Sequence, residues 1–153
     1  AVDDFIERCG PVLAEGPWPT DAFDAGAFAE IAPLVQERVT TLADVPGYVD
    51  WLFLPEAPVD EGSWEKAMVK GPEAVGMLDD AIVAFADAEW TAEALHACLL
   101  ALGEARGLKL GKAQAPVRVA VTGRTVGPPL FESLVLLGRE RTLERLRAAR
   151  SRL

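Results

Sequence analysis

The sequence predicts an all-helical fold, and three observations carry that expectation. Apolar residues recur at helical spacing through long stretches, as in Phe28, Ile31, Leu34, Val35, Val39 and Leu42. Half of the residues are apolar and a quarter are charged, which is the composition of a chain that folds around a core. Only one run, near residues 115–123, alternates like a strand, and no second run could pair with it.

In chain order, Asp3 to Glu15 carries Phe5, Ile6, Cys9, Val12 and Leu13 at helical spacing, with Gly10-Pro11 expected to kink or restart the helix. A proline-rich turn, Gly16 to Thr20, leads to an amphipathic helix over Asp24 to Leu42, which Asp44-Val45-Pro46-Gly47 should end. The apolar segment Tyr48 to Leu54 precedes an acidic, proline-containing linker, Pro55 to Ser63, the best candidate for a subdomain boundary. A short helix is expected near Trp64 to Val69, and another from Pro72 to Ala86 with Pro72 in its first turn. Thr91 opens a helix through Ala105 whose apolar face is Leu95, Cys98, Leu99 and Leu102, and Gly107 stops it. Propensity alone makes Val117 to Thr122 a strand, an assignment weakened by the missing partner. Pro128 to Arg150 is helical, broken at Gly138.

The 153 residues suffice for one sizeable core or two small ones. No stretch has the roughly 18 to 20 apolar residues a membrane span needs, and Ala1 to Glu7 lacks signal-peptide features, so a cytoplasmic location and no membrane partner are expected. Cys9 and Cys98 match no metal or redox spacing and read as free buried thiols.

The net charge of −9 opposes a nucleic-acid partner on its face. It is unevenly spread, however. Residues 1–103 hold four basic and twenty acidic side chains, whereas residues 104–153 hold eleven basic and four acidic ones. Such asymmetry fits either nucleic-acid contact in the basic part or a solvated basic helix face. Catalysis by this chain is not expected. Its single histidine, His96, suits a structural or surface role and rules out histidine-based triads and multi-histidine metal sites, and no glycine-rich phosphate loop occurs.

From Trp90 onward an ordered series of fragments stands out: Trp90-Thr91, Gly107-Leu108-Lys109-Leu110-Gly111-Lys112, Ala115-Pro116-Val117-Arg118, Val121-Thr122-Gly123, Pro128-Pro129-Leu130-Phe131-Glu132 and Leu136 to Arg141. Upstream lies Pro33 to Leu42, followed by Pro46. Together they resemble the C-terminal, anticodon-binding region of bacterial-type glutamyl-tRNA synthetases, over most of the chain and loosely at Glu56 to Asp79. The resemblance implies an all-α fold of two packed helical subdomains, here residues 1–58 and 59–153, with Val117 to Thr122 helical. It implies a tRNA partner, specifically the anticodon loop of glutamate tRNA, and no DNA. The catalytic signatures of the family are absent from this sequence, so ATP and Mg would serve a catalytic domain elsewhere in the parent protein, itself a partner. A free-standing helical paralogue that binds tRNA or protein, without ligase activity, is the alternative.

Unpaired anticodon bases are read by planar groups that stack and by edge hydrogen bonds, two tasks that suit arginine. Arg38 stands alone in an acidic region, and by resemblance it reads the third anticodon letter. Arg118 corresponds to a second arginine at the anticodon loop. Pro128 and Leu130 correspond to a loop and helix start packed against a base, with amide contact in doubt at Pro129, which has no N–H. Lys109, Lys112 and Arg124 are candidates for phosphate contact. Arg145, Arg147, Arg150 and Arg152 read as a solvated helix end, and Trp51, Trp64 and Trp90 as core anchors.

Overall fold

A computed structural model describes residues 1–153, and every regular element in it is helical. Nine α-helices follow one another: α1 (Val2–Ala14), α2 (Ala25–Gln36), α3 (Val45–Phe53), α4 (Glu61–Trp64), α5 (Ala74–Asp87), α6 (Ala92–Ala105), α7 (Leu110–Thr122), α8 (Leu130–Leu137) and α9 (Arg139–Ser151). A π turn, Glu65–Val69, continues α4, and 3-10 turns lie at Thr20–Ala22 and Leu42–Asp44. None of the helices is long and apolar enough to cross a membrane.

Helix α1 buries Phe5, Cys9 and Leu13, one residue per turn along a single stripe. That stripe packs on α2 and α3 and holds the helix together through Gly10-Pro11, where a break was expected. Pro11 points to solvent, so its missing N–H leaves a carbonyl that water can satisfy. Between α1 and α2, Trp18 stacks with Phe23 and meets Phe53 edge-on, with ring centroids 6.0 and 5.1 Å apart.

Helix α2 is shorter than its apolar period. It is capped by Asp24, whose carboxylate accepts from the Ala27 amide, and ends at Gln36. Val39 and Leu42 still pack against the core, but from a turn in which the Thr41 amide donates to Asp44. The Asp44-Val45-Pro46-Gly47 stretch therefore opens α3 rather than ending α2, with Pro46 in the first turn, where an absent N–H costs nothing. Pro72, expected to open α5, lies outside it. Glu73 takes a left-handed conformation (φ 59°) and the helix begins at Ala74.

Helix α7 answers the ambiguity at Val117 to Thr122. It packs against α5, α6, α8 and α9 and buries Ala113, Pro116, Val117, Val119, Ala120, Val121 and Thr122. From Pro116 to Thr122 every residue but Arg118 is buried, so this half of the helix shows no helical period and its β-branched residues imitate a strand. Thr91 caps α6 by accepting from the Ala94 amide, and Gly107 and Gly138 end α6 and α8 with positive φ, as their positions suggested.

One cluster of 35 buried apolar residues runs through the chain. The charge asymmetry has an internal counterpart. Arg106 pairs with Glu73 and Asp80, Arg124 with Asp50, Arg150 with Asp79 and Arg152 with Glu61, each joining the basic C-terminal part to the acidic N-terminal part. In the arginine tail only Arg147 is thus a solvated residue without a partner. Arg145 is 5 % exposed and donates to the carbonyls of Val121 (2.7 Å) and Leu54 (2.8 Å), and burial brings its guanidinium down to about 10, still charged at neutral pH. Helix ends leave carbonyls without partners, and this arginine satisfies one at the end of α7 and one just past α3.

Candidate nucleic-acid interface

Arg38 follows the last turn of α2, where backbone carbonyls lack helical partners and a cation is favoured. Its Nη1 donates to the Leu34 carbonyl at 2.9 Å and lies 3.4 Å from the Glu37 carboxylate, which is itself 72 % exposed. The guanidinium thus stays at the surface with donors to spare.

Arg118 is the one charged residue in the second half of α7. Its Nη1 donates to the Pro128 carbonyl at 2.7 Å, which ties the loop before α8 to the middle of α7. Burial lowers the affinity of Arg118 for its proton, and the positive charge of Arg38 lowers it further. Tyr48 on α3 acts in the opposite sense, and its own hydroxyl, raised by burial, feels both arginines. The turn after α2, α3 and α7 thus bring together two like-charged planar cations and a half-buried phenol within electrostatic reach of both. Such a surface attracts an anionic partner that has flat groups to stack.

The loop 123–129 is held from several sides. Both terminal nitrogens of Arg124 grip the Asp50 carboxylate, at 2.7 and 2.8 Å, and Nη1 also reaches the Gly47 carbonyl. The Thr125 amide donates to Ser63 Oγ. Arg124 is thereby engaged with α3 and fixes the loop, which leaves it little to offer a phosphate. Pro128 is buried beside Arg118, and Leu130 is 2 % exposed because the apolar face of α8, with Leu134 and Leu137, turns into the core. Leu130 thus anchors the loop from behind. The exposed apolar side chain in this loop is Val126, at 73 %.

Lys109 and Lys112, at the start of α7, line a concavity of about 560 Å³ together with Lys66 and Lys70. Sequence reasoning did not single out Tyr48, Val126, Lys66 or Lys70. Lys66 and Lys70 sit four apart, a helical-face spacing that was the only available signal, and they fall where the resemblance is loosest. The tryptophans behave as anchors. Trp51 and Trp64 are buried, the latter under the Arg152 guanidinium at 4.0 Å, and half-buried Trp90 donates its Nε1–H to the Leu134 carbonyl. His96 is exposed and stacks edge-on with Phe131. Of the two free thiols, Cys9 is buried and Cys98 half-buried.

The profile of a family described as an anticodon binding domain matches residues 4–150. A glutamate–tRNA ligase of Frankia alni is 58 % identical over 155 aligned residues, covering 100 % of this chain and 33 % of the ligase. That of Thermobifida fusca is 56 % identical, covering 98 % and 32 %. Among solved structures, a glutamate tRNA ligase from Elizabethkingia meningosepticum in complex with its amino acid superposes with a TM-score of 0.78 at 26 % identity, over 98 % of this chain and 29 % of that one. The chain spans about a third of the length of the curated relatives it matches.

Proposed function

Because the chain belongs to the anticodon binding domain family, we propose that it grips and reads the anticodon loop of a glutamate tRNA on behalf of a glutamate–tRNA ligase. The observation that carries this reading is that Arg38, in the turn after α2, and Arg118, on α7, both lie within electrostatic reach of Tyr48 on α3, beside the loop that Arg118 holds at Pro128. Arg38 keeps free donors at the surface and serves as the edge reader of the third anticodon letter. Arg118 is half-committed to Pro128 and sets the loop against which a second base lies, with Val126 exposed beside it. Splayed-out loop bases suit this mixture of planar cations, a phenol and an apolar tip. The relatives are about three times as long as the matched stretch. The ATP- and Mg-dependent joining of glutamate to tRNA would belong to a catalytic domain of the full protein, acting in the cytoplasm, with residues 1–58 and 59–153 as the two helical subdomains of the reader.

The test is a titration of glutamate tRNA, and of the same tRNA with its third anticodon letter changed, at one fixed salt concentration. Arg38→Ala should bring the two affinities together, since an edge contact contributes about 1–3 kcal/mol of discrimination. Arg118→Ala should weaken both. Wild-type affinities that do not depend on the anticodon, or that ignore both substitutions, would refute the assignment.

A further inference from the structure

The chain has four lysines, Lys66, Lys70, Lys109 and Lys112, and all four line one concavity. In a chain with a net charge of −9 that convergence is hard to assign to solubility, because lysines that serve only solubility scatter over a surface. The arginines behave differently. Arg106, Arg124, Arg150 and Arg152 pair with acids between residues 50 and 80, and Arg139, Arg141 and Arg145 donate to backbone carbonyls. None of the lysines forms an ion pair, and no carboxylate lines the concavity, whose remaining walls are Ala67, Gly71, Pro72, Gly111, Ala115 and Thr125. Two elements supply the charges: the π turn with its cap Lys70, and the first turn of α7, which begins after Lys109.

We infer that this lysine-lined basin between the π turn and the start of α7 cradles the sugar–phosphate backbone of an RNA strand that runs on to the base-reading surface at Arg118. The inference rests on the anticodon reading and adds to it a second, sequence-blind contact. Three features favour an RNA backbone as the occupant. Lysine ammonium groups are compact point charges suited to phosphates that need no fixed orientation. The basin, at about 560 Å³, has room for more than one phosphate. Finally, Lys112, Ala115 and Arg118 follow one another at i, i+3 and i+6 along a ridge of α7, so the basin and the reader lie about 9 Å apart along the helix. A chain leaving the basin along that ridge meets Arg118 and then the loop at Thr125 to Pro128, whose Thr125 also lines the basin. Base contacts specify and phosphate contacts position, and the two sets here are adjacent but separate.

The test uses an anticodon stem-loop RNA and a fluorescence titration of the chain at about 50 and 200 mM salt. Lys66→Ala/Lys70→Ala removes the two basin lysines that do not belong to α7, the helix that carries Arg118. Losing two phosphate contacts should flatten the logarithmic salt dependence by about 1.4, so the variant loses about sevenfold less affinity than wild type between those concentrations. The loss should be the same for stem-loops with altered anticodons, and Lys66→Arg/Lys70→Arg should restore it. Arg38→Ala should change anticodon preference and leave the salt slope close to wild type. A Lys66/Lys70 variant with unchanged affinity and slope, while Arg38→Ala still alters preference, overturns the basin and leaves the anticodon reading standing. Insensitivity of binding to both sets overturns both. Tripolyphosphate that binds the wild type but not Lys66→Ala/Lys70→Ala, and leaves stem-loop affinity unchanged, would mark a free polyanion site and overturn the RNA assignment.

Discussion

Removing Arg124 tests the arrangement that positions the loop. The Asp50 side chain is only 6 % exposed, whereas that of Arg124 is 36 % exposed, so truncating the arginine strands a buried carboxylate whose main partners were its two terminal nitrogens. Breaking a buried pair from one side costs about 3–5 kcal/mol. The Arg124 side chain is itself about a third exposed, which reduces the figure to about 2–3 kcal/mol for Arg124→Ala. In a chain of this size that is a fall in Tm of about 4–12 °C. Differential scanning calorimetry at neutral pH reads it directly. The double variant Asp50→Asn/Arg124→Ala, which removes the stranded charge, should recover most of the loss. A single variant within about 2 °C of wild type, or a double variant worse than the single, would show that the pair does not hold the loop. The same variant bears on RNA binding. Arg124→Ala should leave the salt slope unchanged, since its guanidinium faces Asp50, and a slope flattened by a full contact would return Arg124 to the phosphate contacts.

Two further substitutions test the packing around the site. Gly123 ends α7 at φ 84°, and a Cβ there would lie 2.2 Å from the Pro58 carbonyl oxygen, whereas Gly107 at φ 73° faces open space. Gly107→Ala should cost about 1 kcal/mol from backbone strain alone. Gly123→Ala should cost at least twice as much, because the linker must also move, and equal urea midpoints for the two would contradict this packing. Arg145→Met leaves the Val121 carbonyl without its charged donor and weakens the contact at Leu54. The expected loss is about 2–3 kcal/mol. An unchanged midpoint in urea would mean that the buried guanidinium contributes nothing net, as happens with some buried ions.

The helices legible in the sequence were those with one wet face. Helix α6 shows its cap at Thr91, its apolar stripe and its stop at Gly107 in plain order, because each is a local effect. Helix α7 hides for the opposite reason. Its second half, Pro116 to Thr122, is buried among other helices except at Arg118, and valines chosen to fill a core resemble a strand until the neighbours are known. Prolines gave the least reliable boundaries. Pro11 and Pro116 sit inside helices and Pro46 opens one, since a missing N–H is tolerated wherever tertiary contacts or the first turn leave it without consequence.

The site divides in the same way. The sequence determined the kind of chain this is, through ordered local fragments, and it marked Arg38 and Arg118 as unusual cations. It also displayed the contrast between an acidic first part and a basic last part. Only the tertiary structure decided what that contrast is for. Charges cancel through space and not along the chain, so the arginines of the last third are largely consumed by acids and carbonyls of the rest, while four lysines from two distant segments remain together and unpaired. A side chain's availability depends on its partners, and those come from other helices.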